Sequence, residues 1–127
     1  RFAERFDEPL AHLLYAAGDF FLMPSRFEPC GLGQMIAMRY GNVPIATAVG
    51  GLKDTVKDGE TGFVVPAYTS DALVETISRA LRAAHTSPRG LDTLRKNGLF
   101  QDFSWKHSAK EYGKLYQEIL EPSRIYE

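Results

Sequence analysis

Glu28 stands with two glycines, Gly31 and Gly33, in the run Pro24-Ser25-Arg26-Phe27-Glu28-Pro29-Cys30-Gly31-Leu32-Gly33-Gln34. Just before the run, the apolar tetrapeptide Phe20-Phe21-Leu22-Met23 predicts a strand buried on both faces. A helix is expected from near Gly31 through Met35, Ile36, Ala37 and Met38 to Tyr40, with Gly41 suited to the left-handed position after its end. A helix start leaves backbone N–H groups unpaired and carries the positive end of the macrodipole, so it can hold a phosphate without a cationic side chain. Gly31 and Gly33 let a ligand come close to the backbone. These residue types point to an anion held beside a polyol, and the segment from Glu28 to Gln34 is the first candidate site.

Several elements must position that junction. Asp7-Glu8-Pro9 opens a helix whose apolar residues Leu10, Leu13, Leu14 and Ala17 follow a 3.6-residue period, and Gly18 stops it. After the candidate site, Val43 to Thr47 reads as a second strand. Gly50-Gly51 leads into a helical turn around Leu52 to Val56, Asp58 to Gly62 into a turn, and Phe63-Val64-Val65 into a third strand closed by Pro66. Strands separated by helices imply parallel pairing, so the fold class is α/β, a Rossmann-like parallel sheet with flanking helices. Phe2 to Phe6 is a further candidate strand.

From Ser70 onward the chain reads as helical. Ser70 and Asp71 cap a segment with Leu73, Ile77, Ala80, Leu81 and Ala84 on one stripe, and Ser87-Pro88 begins a shorter helix toward Leu94. Ser104 caps a last helix with Trp105, Ala109, Tyr112, Tyr116 and Ile119 on one face. Both long stripes are expected to pack in the core, because amphipathic helices that cover a sheet have this pattern.

The composition narrows the function classes. The 127 residues, 44% hydrophobic and 24% charged, are those of an ordinary globular domain or a piece of a larger one. With 15 basic against 16 acidic residues there is no surplus charge to grip a polyanion, so nucleic acid and membrane surfaces are not expected partners. Cys30 is the only cysteine, and the first residues carry no secretory pattern; both suggest a reducing, cytoplasmic compartment, or a plastid in a plant. The sequence has no Asp-x-Asp pair to hold a divalent ion on a diphosphate, and neither a metal nor a cofactor is expected.

The run from Pro24 to Gln34, continued by Tyr40-Gly41-Asn42-Val43-Pro44, Gly50-Gly51-Leu52-Lys53-Asp54-Thr55-Val56 and Thr61-Gly62-Phe63-Val64, resembles bacterial glycogen synthases and plant starch synthases. The likeness is dense from Phe6 to about Pro66 and thinner at Asp102-Phe103-Ser104-Trp105. It implies the GT-B architecture of two Rossmann-like domains facing a cleft. The chain would be the back part of the C-terminal, nucleotide-sugar-binding domain, with an α/β donor-site part over residues 1–66 and a helical part over 67–127. The implied reaction moves glucose from ADP-glucose, or UDP-glucose, to the non-reducing end of an α-1,4-glucan with retention. The acceptor site and the phosphate-binding Arg and Lys would lie in segments preceding this one.

Residue roles follow from the same resemblance. Glu28 corresponds to the carboxylate that contacts the glucose and favours positive charge at the anomeric carbon, against a reading as a solvated or capping glutamate. Cys30, Gly31 and Leu32 correspond to positions lining the glucose, Gly31 and Leu32 through backbone N–H groups, while for Cys30 ordinary packing is an equal alternative. Gly33 and Gln34 fall where the helix start meets the diphosphate and ribose; many relatives have Thr at the position of Gly33. Phe6 falls where the family sets an aromatic ring against adenine, with strand core as the alternative. Ile36 stands where broader GT-B enzymes have a second glutamate, which favours the glycogen and starch branch. Leu13 replaces a frequent Arg, and His12, on the helix before the strand, reads as structural.

Two other functions compete with this one: a module that binds nucleotide-sugar or glucan without turnover, and a sugar-nucleotide epimerase of the same architecture. The block Glu28-Pro29-Cys30-Gly31 matches the synthases better than the epimerases. Without neighbouring strands on its open side, the Asp19 to Met23 strand is expected to make the isolated chain self-associate, or to draw Arg1 to Phe6 across that edge to cover it or exchange with another chain.

Overall fold

A computed structural model describes residues 4–120. Helix α1 (Glu8–Ala17) begins where Asp7 accepts a hydrogen bond from Leu10 N at 2.9 Å, and Pro9 occupies the first turn, where its missing N–H costs no helical bond. Gly18 ends it for reasons of space, since a Cβ there would lie 2.5 Å from Asn42 Oδ1. Asn42 is buried, and its Nδ2 donates to Tyr15 O, fastening α1 to the turn that follows the site helix.

Three strands, β1 (Phe20–Met23), β2 (Val43–Thr47) and β3 (Phe63–Val65), form a parallel sheet in the order β1-β2-β3. Phe20 lies opposite Val43, and Ile45 opposite Phe63. All five residues of β2 are buried, as a middle strand covered on both faces requires. Ahead of the β2–β3 ladder, Gly62 rests against Pro44, where a Cβ would come within 2.8 Å of Pro44 Cγ. The expected α/β fold with a Rossmann-like parallel sheet is the one observed.

The two faces of the sheet carry separate cores, as the period of two in a strand demands. On one face lie α2 (Gly33–Arg39) and α3 (Gly50–Thr55), where Met38, Leu52 and Val56 pack with Ala46, Met23 and Val64. On the other lie α4 (Ser70–Thr86) and α5 (Pro88–Leu99), where Ala80, Leu91 and Leu94 pack with Val43, Ile45, Phe63 and Val65. The end of α5 reaches back to α2: Gly98 lies against Met38, and Arg39 donates to Leu99 O at 2.9 Å. Helix α2 closes on Gly41, whose N–H donates to Met38 O at 3.0 Å, while Asn42 N donates to Ala37 O at 2.9 Å.

Several sequence expectations change. The cap of α4 is Thr69, whose hydroxyl oxygen accepts from Ala72 N at 3.3 Å, so Ser70 is already helical. The helix opened by Ser87-Pro88 runs on to Leu99, and Leu81 faces solvent rather than core. Residues 4–6 are not a strand and Phe6 is 99% exposed, which removes its strand-core reading; Phe2 lies outside the described residues. Finally α6 (Trp105–Leu120) buries none of its residues, with Trp105 81% exposed and Tyr112, Tyr116 and Ile119 also exposed. Its stripe is amphipathic as expected, but among the described residues both sheet faces are already covered by α2 to α5. At the start of α6 the side chain that bonds backbone is Asp102, which accepts from Ser104 N at 2.9 Å.

Candidate functional site

The loop from Pro24 to Leu32 leaves the C-terminal end of β1, the edge of a parallel α/β sheet where ligand crevices form. It is fixed from below. Thr47, at the end of β2, donates its hydroxyl to Ser25 O. Gly50, with φ +42°, lies so close to the loop that a Cβ would sit 1.9 Å from Glu28 O, and a Cβ on Gly51 would sit 2.3 Å from Cys30 O. The Gly51 N–H is shared between Glu28 O and Pro29 O, each at 3.2 Å. The backbone of Glu28-Pro29-Cys30 therefore lies directly on the glycine pair that starts α3.

Gly31 makes the turn into α2 with φ +71°, a conformation L side chains rarely adopt, and a Cβ there would also meet Gln34 Oε1 at 2.7 Å and Glu28 Cγ at 3.1 Å. Glu28 is half-buried, and its carboxylate has no ion-pair or hydrogen-bond partner among the described residues. Cys30 and Leu32 are exposed. Leu32 is the N-cap of α2 and supplies no side-chain bond, so no side chain caps the first N–H groups of the helix. Gly33 lies under the Phe21 ring and near the Tyr15 hydroxyl, at 3.2 Å and 3.4 Å from a Cβ built there. A side chain at this position would press on the Phe21 ring, which would have to give by a few tenths of an ångström.

Gln34 is fully buried. Its Nε2 donates to Gly31 O at 2.8 Å and to Thr55 Oγ1 at 3.0 Å, and the Thr55 hydroxyl donates to Gly51 O at 2.7 Å. Because the Thr55 proton goes to Gly51 O, Thr55 accepts from Gln34, and this fixes which end of the amide faces it. The other end, Gln34 Oε1, is buried without a partner among the described residues. The structure thus brings Glu28, Cys30, Gly31, Leu32, Gly33 and Gln34 together at one turn. Phe6 instead borders a groove with Leu10, Leu14, Tyr15 and Ile36. His12 shares a hydrogen bond with the Tyr40 hydroxyl at 2.6 Å.

Sequence reasoning did not single out Thr55. The signal was present: a threonine four residues after Gly51 on a helix places its hydroxyl over that carbonyl. A cavity of about 350 Å³ also opens at the C-terminal edge of the sheet, lined by Pro24, Thr47, Val65, Tyr68 and Leu73 among others. None of the expected site residues lines it.

Residues 1–83 match the family "Glycosyl transferases group 1". The chain belongs to this family. A glycogen synthase of Thermodesulfovibrio yellowstonii is 48% identical over 115 residues, 91% of this chain and 23% of the relative. The catalytic domain of starch synthase IV from Arabidopsis thaliana, solved bound to ADP and acarbose, superposes with a TM-score of 0.81 at 39% identity, over 90% of this chain and 25% of that one. A sucrose-phosphate synthase from Thermosynechococcus elongatus superposes with a TM-score of 0.71 at 36% identity, over 94% of this chain and 30% of that one. The chain therefore spans about a quarter of the length of the curated relative it matches.

Proposed function

We propose that the chain is part of a retaining glycogen or starch synthase, the back part of its C-terminal GT-B domain, carrying part of the site for ADP-glucose. The observation that carries this reading is the Glu28 loop seated on Gly50-Gly51 in a chain 48% identical to a glycogen synthase over 91% of its length. Residues 1–66 are assigned to the donor site and 67–127 to the helical part. The ADP-bound starch synthase structure supports a nucleotide-sugar donor, and the acceptor in this reading is the non-reducing end of an α-1,4-glucan, bound with the help of the N-terminal domain.

In this reading Glu28 accepts hydrogen bonds from glucose hydroxyls and opposes the positive charge that develops at the anomeric carbon. Backbone N–H groups of Gly31, Leu32 and Gly33 face the sugar and the departing diphosphate, and Cys30 lines the sugar pocket. Stabilisation of the leaving group by oriented N–H groups and by cations outside this chain would allow ADP to depart while the acceptor 4-hydroxyl attacks from the same face. Phe6 is assigned to the adenine, for which its exposed ring is available. The proposed compartment is a reducing one, the cytoplasm or a plastid.

The likeness to a sucrose-phosphate synthase supports a second reading, hexosyl transfer from another donor, against which Ile36 replaces the second glutamate of the broader architecture. Labelled glucose transfer by the full-length parent protein separates the two. Incorporation into glycogen from ADP-glucose is the expected result. Transfer only from UDP-glucose to a small sugar would establish the second reading, and binding without transfer would leave a binding module.

A further inference from the structure

We propose that Thr55 and Gln34 are positioning residues that hold the Glu28 loop in its working geometry, and that Gln34 acts through this strut rather than by touching the ligand. The proposal rests on the glucosyltransferase reading for its effect on rate, and on geometry alone for its effect on the loop. The strut is continuous. Gly51 O accepts from the Thr55 hydroxyl at 2.7 Å, Thr55 Oγ1 accepts from Gln34 Nε2 at 3.0 Å, and Gly31 O accepts from the same Nε2 at 2.8 Å. It joins α3 to the loop at the residue that turns the loop into α2, and Gly51 N closes the circuit by donating to Glu28 O and Pro29 O.

Three observations favour a strut over a ligand contact. Gln34 is fully buried, so its amide does not reach the crevice. Both hydrogens of its Nε2 have acceptors inside the protein, and Thr55 is four residues from the Gly51 carbonyl it caps. Among the described residues Oε1 has no partner, so the contacts that orient the amide are those of Nε2. Since Glu28 Cγ lies close to the Gly31 α-carbon side that Gln34 also faces, a shift of the Gly31 peptide moves the carboxylate with it. A misplacement on the order of 1 Å at a reacting group costs about 100-fold in rate.

The test uses Thr55→Val, which keeps the shape and removes the hydroxyl, Thr55→Ser, which keeps the hydroxyl, and Gln34→Glu, which sets an acceptor against Gly31 O. In the full-length parent, Thr55→Val and Gln34→Glu are expected to lower kcat at least ten-fold with the donor KM within about two-fold, and Thr55→Ser to stay within about two-fold of the parent in both. Unchanged kcat in Thr55→Val, or equal loss in Thr55→Val and Thr55→Ser, overturns the strut. A raised KM in Gln34→Glu with a silent Thr55→Val makes Gln34 a ligand contact and also overturns it.

The 127-residue chain gives a readout independent of activity, because its single thiol, Cys30, is exposed on the loop itself. Alkylation of Cys30 under native conditions, with far-UV circular dichroism as the folding control, is expected to change several-fold in Thr55→Val and not in Thr55→Ser. If the parent transfers no glucose, the functional reading fails while this measurement still judges the strut. An unchanged Cys30 rate in both Thr55→Val and Gln34→Glu refutes it.

Discussion

At the scale of single residues the site turns on one carboxylate and one glycine. Glu28 is half-buried with no partner among the described residues, so its charge is free to act on a ligand. If it opposes charge that appears only as the bond between the anomeric carbon and the diphosphate breaks, Glu28→Gln in the parent lowers kcat on the order of 100-fold to 1,000-fold and leaves the donor KM nearly unchanged. Steady-state kinetics in both substrates decides this, and a rise in KM alone would make Glu28 a ground-state contact. Gly50 is the second such position. Its φ of +42° and the 1.9 Å that would separate a Cβ from Glu28 O leave no room for alanine. Gly50→Ala is expected to destabilise the chain by at least about 2 kcal/mol through strain and displacement of the loop, read as a lower Tm in thermal unfolding.

At the scale of elements, β3 is clasped to α4 by Asp58. Its Oδ1 accepts from Val64 N at 2.8 Å, Arg79 donates to both carboxylate oxygens, and the Arg79 guanidinium lies 5.2 Å from the centre of the Phe63 ring. The Arg79 hydrogen bonds, followed by the bond from Val64 N, hold the Asp58 carboxyl below its ordinary range, with partial burial opposing them. A carboxylate whose folded value lies below its unfolded one, about 3.9, contributes stability that is complete above that value and is lost as pH falls through the folded one. The two side chains are 45% and 42% exposed, so screening keeps the pair to about 1 kcal/mol. Asp58→Asn should therefore lower Tm at pH 7 and approach the parent Tm as the pH falls from the unfolded carboxylate value, about 3.9, through the lower folded one. A deficit that does not shrink as the pH falls would show that the charge is not what matters.

At the scale of the whole molecule, the described residues leave apolar surface uncovered among themselves. Strand β1 is an edge of the sheet with Leu22 46% exposed, and α6 presents Trp105, Tyr112, Tyr116 and Ile119 without burying a residue. Exposed edges and apolar faces of this kind drive association. The isolated 127-residue chain is expected to sediment as species larger than its 14.2 kDa monomer, and a monodisperse monomer across micromolar concentrations contradicts this. The same chain is expected to transfer no glucose by itself, since it spans about a quarter of its relatives' length and the phosphate-binding cations and acceptor site are assigned outside it. Transfer to glycogen by the purified chain would refute that assignment.

The sequence by itself determined the parallel α/β order, because buried runs such as Phe20 to Met23 and Val43 to Thr47 alternate with helical periods and turn residues, all of them local signals. It also placed Glu28 between a strand and a helix and marked Gly50-Gly51 as part of the same pattern. Only the tertiary structure decided what those glycines do, since the closeness that would set a Cβ on residue 50 at 1.9 Å from Glu28 O comes from pairing β1 with β2 and not from either segment. It likewise turned Gln34 inward, because the acceptors that hold its amide, Gly31 O and Thr55 Oγ1, come from two different elements. The stripe of α6 was legible as amphipathic, but periodicity records that a face is apolar and not whether another surface covers it; for Trp105 and Tyr116 the described residues supply none.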